Sequence, residues 1–168
     1  LGILTEYNRP QRLSTDETGK IETIRDLLRF EEELIKYRYD YILDLDVTSP
    51  LRNICDIQDS FDLILNKKEA ETLFSVNPSN RNPYFNMVSK ITNANLIQKA
   101  IKTKIYRRQD VPKIYNITTA LYLGKIKYIL NTKDFYKGKI GYIEISKETA
   151  IDIDDNFDLK LCRILKNE

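Results

Sequence analysis

The run Tyr41-Ile42-Leu43-Asp44-Leu45, the turn Asp46-Val47-Thr48-Ser49-Pro50-Leu51-Arg52 and the spaced apolar residues Ile54, Ile57, Phe61 and Ile64 constrain the fold more than any other stretch. A compact apolar run bounded by a turn reads as a strand, and the change to three- and four-residue spacing reads as a helix with one apolar face. Together they make a βα unit of an α/β sheet, in which ligands usually bind at loops beyond the carboxyl ends of the strands. Thr72 to Val76, Ile117 to Leu123 and Ile140 to Ile145 supply further strands, and a strand is expected over Leu1 to Thr5. Helical spacing through Ile21, Ile24, Leu27, Leu28, Leu34 and Ile35 predicts a first helix capped by Ser14 or Thr15, with Asp16 and Glu17 in its first turn. A short helix through Ile126 and Ile129 and a terminal helix through Leu159, Leu161, Cys162 and Leu165 complete the pattern. Tyr84 to Ile91 and Leu96 to Ile101, around Thr92-Asn93-Ala94-Asn95, suit a hairpin that interrupts the α/β alternation as an insertion.

Composition narrows the chemistry. The 168 residues, 42% of them hydrophobic, suffice for one α/β domain over 1–168, and the net charge of +2 argues against a nucleic-acid or membrane partner. Lys99, Lys102, Lys104, Arg107 and Arg108 form a local basic cluster that reads as a solvated face. The sequence contains no apolar run long enough to cross a bilayer and no signal-peptide pattern, so a cytoplasmic location is expected. Cys55 and Cys162 lack metal-ligand spacing and are expected to be buried, reduced thiols. The absence of histidine excludes Ser-His and Cys-His pairs, histidine-ligated zinc and a histidine general base.

The remaining chemistry rests on carboxylates, cations and tyrosines. In Ile151-Asp152-Ile153-Asp154-Asp155 two carboxylates alternate with apolar residues, so an extended backbone would put Asp152 and Asp154 on one face. Such a pair can hold magnesium, which binds one or two carboxylates together with substrate phosphates. The alternative is structural: Asp154 or Asp155 as the N-cap of the terminal helix.

Three loop motifs precede this run. They are Arg9-Pro10 with Thr15-Asp16, Asp46-Val47-Thr48-Ser49-Pro50-Leu51-Arg52, and Arg107-Arg108-Gln109-Asp110-Val111-Pro112. In this order, followed by Tyr115, Tyr122 and Ile151-Asp152-Ile153-Asp154, they resemble the acylneuraminate cytidylyltransferase (CMP-sialic acid synthetase) family over almost the whole chain. The resemblance implies a Rossmann-like, three-layer nucleotidyltransferase with a hairpin insertion, at about 81–111, that makes a homodimer. It implies transfer of CMP from CTP to a nonulosonic acid of the N-acetylneuraminate or legionaminate type, with release of pyrophosphate, for surface glycoconjugates. Asp152 and Asp154 would be the Mg2+ carboxylates and would share the catalytic role with Arg108. Arg9, Thr18, Gly19, Lys20 and Asp46 would bind the nucleotide, and Arg108, Tyr122, Phe135 and Tyr136 the sugar. A planar guanidinium suits the sugar carboxylate.

The sequence also departs from the family pattern. Asp46-Val47 stands where the family usually has Gln-Pro, and a carboxylate accepts hydrogen bonds but donates none. Thr118-Thr119 replaces the commoner Asn-Gly, and Phe85 stands where sialate-specific relatives can carry Lys, both on the presumed sugar side, while the Asp46-Val47 variant resembles a branch that includes legionaminate-type cytidylyltransferases. Family members also open with a strand and a Gly-Ser-Lys loop that cradles the triphosphate, and this sequence starts at Leu1 without a counterpart. The expectation is therefore an N-terminally truncated chain, inactive alone. Alternative readings are a remnant that dimerises or binds nucleotide without catalysis, and activation of another acidic sugar such as an eight-carbon ulosonic acid.

Overall fold

The computed structural model of the protein describes residues 5–15, 17–92 and 95–166. In chain order its elements are α1 (Lys20–Ile35), β1 (Tyr41–Asp44), α2 (Ile54–Asn66), β2 (Thr72–Pro78), β3 (Val88–Lys90), β4 (Ile97–Lys99), β5 (Tyr115–Lys125), α3 (Ile126–Ile129), β6 (Ile140–Glu144) and α4 (Asn156–Leu165). Short 3-10 turns occur at Gln11–Leu13 and Arg108–Asp110.

The main sheet has the order β1-β5-β2-β6. β2 and β6 are parallel, while β5 runs antiparallel to both β1 and β2. β1, β2 and β6 therefore all end at the same edge, as expected of an α/β sheet with its site beyond the strand ends. Register places Leu73 beside Leu123 and Gly141, and Phe74 beside Tyr122 and Tyr142, so adjacent positions define two faces. On one face Leu73, Leu121, Leu123, Ile143 and Ile145 pack with Ile64, Ile57 and Phe61 of α2. On the other face α3 covers Gly124, where a Cβ would be 3.0 Å from Ile129. Arg25 of α1 donates to the carbonyls of Ile129 and Thr132 and so ties α1 to this side. Helices thus lie on both faces of a mixed sheet.

β5 accommodates a register shift opposite Phe74 and Val76. The buried Ser75 hydroxyl fills the irregularity: it accepts the Leu121 N–H at 3.0 Å and lies 2.6 Å from the Thr118 hydroxyl. A bulge otherwise leaves backbone groups unpaired.

Several sequence expectations change. The first helix begins at Lys20 with Gly19 as an uncapped, extended N-cap, not at Ser14 or Thr15. The 3-10 turn consumes those residues instead: the Ser14 hydroxyl donates to the Pro10 carbonyl at 3.2 Å, and the Thr15 and Thr18 hydroxyls lie 2.8 Å apart. Asp16 and the strand expected over Leu1–Leu4 lie outside the described residues, and Thr5 is not in a strand. Leu34 and Ile35 are exposed, while Glu32 on the same helix is buried against Arg38 and accepts the Tyr39 N–H at 3.2 Å. The hairpin forms, but with strands of three residues, since the Asn82 carbonyl gathers the N–H groups of Phe85, Asn86 and Met87 into a turn. Cys162 is buried, but Cys55, in the first turn of α2, is exposed.

Candidate active site

Lys20 is the hub of the strand-end edge. As the first residue of α1 it reaches the end of β1, where its Nζ lies 2.7 Å from Asp44 Oδ2 and 3.1 Å from Asp46 Oδ2. The ammonium also stands 4.4 Å from the centre of the Tyr122 ring, a cation–π contact. Register explains the meeting, because Tyr122 pairs with Asp44 across β5 and β1. Burial works against the Lys20 charge, yet the hydrogen bond and attraction of Asp44, followed by those of Asp46, outweigh it and raise the pKa above the ordinary lysine value. Tyr122 is held above its ordinary value chiefly by burial, with Lys20 opposing. Both groups keep their protons at neutral pH. Asp44 was not singled out by sequence, although Asp44-Leu45-Asp46 repeats the spacing of Asp152-Ile153-Asp154.

The turn after β1 is pinned from three directions. The Arg52 guanidinium donates to the carbonyls of Asp46 and Ala120. Ser49, 1% exposed, has its hydroxyl 2.7 Å from that of Thr119. The Thr48 carbonyl accepts the Ile153 N–H at 2.9 Å, which draws in the segment carrying Asp152.

Beside Lys20 a cavity of about 270 Å³ is lined by Gly19, Arg25, Lys133, Phe135 and Tyr136. Gly19 faces open space, since a Cβ there would meet nothing within 4 Å. Phe135 and Tyr136 pack with Phe74 and Tyr122 at ring separations of 5.3 to 6.4 Å, so part of this aromatic set is core while Tyr136 remains exposed. A second cavity of about 420 Å³ takes in Arg9, Thr18, Lys20 and Asp44. The fold thus gathers Arg9, Thr18, Gly19, Lys20, Asp46, Tyr122, Phe135 and Tyr136 around one region. Arg108 stands apart: it lines another cavity of about 420 Å³ with Ser79, Asn80, Tyr115 and Glu144, and donates to the Asn80 carbonyl at 3.2 Å. Tyr115 is held above its ordinary pKa by burial first and by Glu144 next.

Asp152 and Asp154 lie in a segment that pairs with no strand and precedes α4. Their environments differ. Asp152 is half-buried, and its Oδ1 is buried without a hydrogen-bond partner. Asp154 is exposed, with its N–H donated to Asp158 Oδ2 at 3.1 Å. The N-cap is Asp155, whose Oδ1 accepts the N–H groups of Phe157 at 2.7 Å and Asp158 at 3.0 Å, while Asp158 accepts the Asp155 N–H in return. The cap therefore uses the side chains of Asp155 and Asp158, not those of Asp152 and Asp154. Among the described residues no group of three or more carboxylates or thiols could hold a metal ion. The unpartnered buried oxygen of Asp152 is a donor of the type magnesium takes, since that ion can draw most of its ligands from water and phosphate.

No family model matches the chain. It is 31% identical over 159 residues to the CMP-N,N'-diacetyllegionaminic acid synthase of Campylobacter jejuni, covering 95% of this chain and 66% of that protein. It is 30% identical over 162 residues to the post-translational flagellin modification protein B of Campylobacter coli, covering 96% of this chain and 68% of the relative. The N-acylneuraminate cytidylyltransferase of Streptococcus agalactiae is 26% identical, with 94% of this chain and 36% of that protein aligned.

The chain belongs to the acylneuraminate cytidylyltransferase family.

It spans about two thirds of the two Campylobacter relatives, 68% and 66%, and about a third, 36%, of the streptococcal one. A CMP:2-keto-3-deoxy-manno-octonic acid synthetase solved with CTP superposes with a TM-score of 0.60 at 12% identity, covering 90% of this chain and 69% of that one. This cytidylyltransferase-family chain therefore has the nucleotidyltransferase fold expected from its motifs. Among its described residues no helix is long and apolar enough to cross a membrane.

Proposed function

We propose that this protein transfers CMP from CTP to a nonulosonic acid of the legionaminate type, releasing pyrophosphate, in the assembly of surface glycoconjugates. The observation that carries this reading is the meeting of Lys20, Asp44, Asp46 and Tyr122 at the strand-end edge, in a chain 31% identical to a CMP-N,N'-diacetyllegionaminic acid synthase. Two half-buried carboxylates there share one ammonium, which leaves acceptor capacity on Asp46 for a hydrogen-bond donor of the ligand. An acceptor at this position favours a sugar rich in N–H and O–H donors over one read by an amide.

The chemistry requires the sugar's anomeric oxygen to displace pyrophosphate from the α-phosphorus, with charge held in place as it moves. Lys20 and Arg9 supply positive charge beside the nucleotide, Thr18 a hydroxyl, and open space over Gly19 allows close backbone approach. Tyr122, Phe135 and Tyr136 would form an apolar wall for the sugar, and Arg108, in its separate cavity, carries the forked donor suited to a sugar carboxylate. Asp152 and Asp154 would hold Mg2+, which when bound neutralises phosphate charge. The hairpin exposes Val88 at 56%, Leu96 at 63% and Ile97 at 67%, a surface suited to pairing with a second copy.

The test is pyrophosphate release by the complete encoded protein with CTP and magnesium, across N,N'-diacetyllegionaminate, N-acetylneuraminate and an eight-carbon ulosonic acid. Turnover is expected to be fastest with the first. Preference for the eight-carbon acid would overturn the sugar assignment, and absence of release with every acid, together with no CTP-dependent rise in Tm, would overturn the activity.

A further inference from the structure

We infer that Arg52 is a positioning residue that couples the two halves of the site, the Lys20 cluster and the Asp152 segment, through the turn Asp46–Arg52. The inference rests on the activity proposed above. Its basis is that one guanidinium holds the carbonyls of Asp46 and Ala120 together. Asp46 carries the Lys20 contact on its side chain, so fixing its backbone fixes where that carboxylate stands. Ala120 lies next to Thr119, whose hydroxyl meets buried Ser49, and two residues from Tyr122, over which Lys20 sits.

The same turn has a second attachment. Thr48, between Asp46 and Ser49, accepts the Ile153 N–H, and Ile153 follows Asp152 with its orphaned Oδ1. The Asp46 carbonyl accepts both the Ser49 N–H, at 3.3 Å, and the Arg52 guanidinium. Movement of the turn away from β5 would therefore shift Asp46 and Asp152 at once. A misplacement of about 1 Å can cost on the order of a hundredfold in rate. Lysine cannot substitute, because its single ammonium lacks the planar fork that spans two carbonyls.

The experiment compares wild type with Arg52→Lys and Arg52→Ala by amide hydrogen exchange and steady-state kinetics. Arg52→Lys is expected to keep Tm within about 3 °C, to lower kcat roughly ten- to a hundredfold with the CTP KM changed less than about threefold, and to speed exchange in both 46–52 and 151–155. Added guanidinium should restore part of the activity of Arg52→Ala. Faster exchange confined to 46–52, or spread equally through β2 and β6, would overturn the coupling, as would a rise in KM at unchanged kcat. Should wild type release no pyrophosphate, the activity falls, while the exchange comparison still decides whether the two segments are coupled.

Discussion

Lys20 and Asp152 are the residues on which the proposed chemistry depends most directly, and for different reasons. Lys20 is held by two carboxylates and an aromatic ring, so its charge is fixed in position before any ligand arrives. Lys20→Met keeps the stem but removes the charge, and is expected to raise the CTP KM about tenfold or more in initial-rate measurements. Asp152→Asn removes a buried anionic acceptor while preserving shape. It is expected to cut kcat by about a hundredfold, with a higher magnesium concentration needed for half-maximal rate. The sequence made Asp152 visible because the acidic pair stands out locally. It did not show Asp44, since the reason Asp44 matters lies 24 positions away in Lys20, and only the pairing of β1 with β5 brings Tyr122 beside them.

At the scale of single elements, helix ends account for most differences between pattern and structure. Ser14 and Thr15 satisfy the preference for an N-cap, but the Ser14 hydroxyl turns back to the Pro10 carbonyl, that of Thr15 meets Thr18, and the helix starts at Lys20 after Gly19. Periodicity locates the body of a helix because it reflects the buried face, while a cap depends on local competition for a few hydrogen bonds. The C-terminal end of α1 offers a pH test. Burial opposes the Glu32 charge, but the Arg38 ion pair and then the Tyr39 N–H bring its pKa below the ordinary glutamate value. A lowered folded-state pKa gives stability that is present above the unfolded-state value, about 4.3, and is lost as pH falls through the folded-state pKa. Glu32→Gln should therefore flatten the acid limb of a urea-unfolding series below about pH 4.5. At α4 the reciprocal cap of Asp155 and Asp158 predicts that Asp155→Ala costs about 1 kcal/mol in urea unfolding, without altering the magnesium dependence of the rate. A changed magnesium dependence would place Asp155 in the site and not at the helix end.

For the molecule as a whole, the apolar run of Tyr41 to Leu45 and the α2 residues Ile57, Phe61 and Ile64 were legible because they contribute to a common core, whereas Ile54, read as part of the same stripe, sits in the first turn of α2 and is exposed. Ile64 has no exposed surface, and Ile64→Ala is expected to cost about 2–5 kcal/mol in denaturant unfolding. The order of the strands was not legible, since period-two alternation says which residues share a face but not which strand lies next. That order has a consequence for synthesis. Among the described residues β1 pairs only with β5, and β2 only with β5 and β6, so of these strands neither β1 nor β2 can pair with another until residues 115–125 are made. During synthesis β5 therefore has to thread between two strands that already wait for it, and the outer edge of β2 closes only when residues 140–144 follow, an order that leaves open edges exposed to aggregation and proteolysis until late.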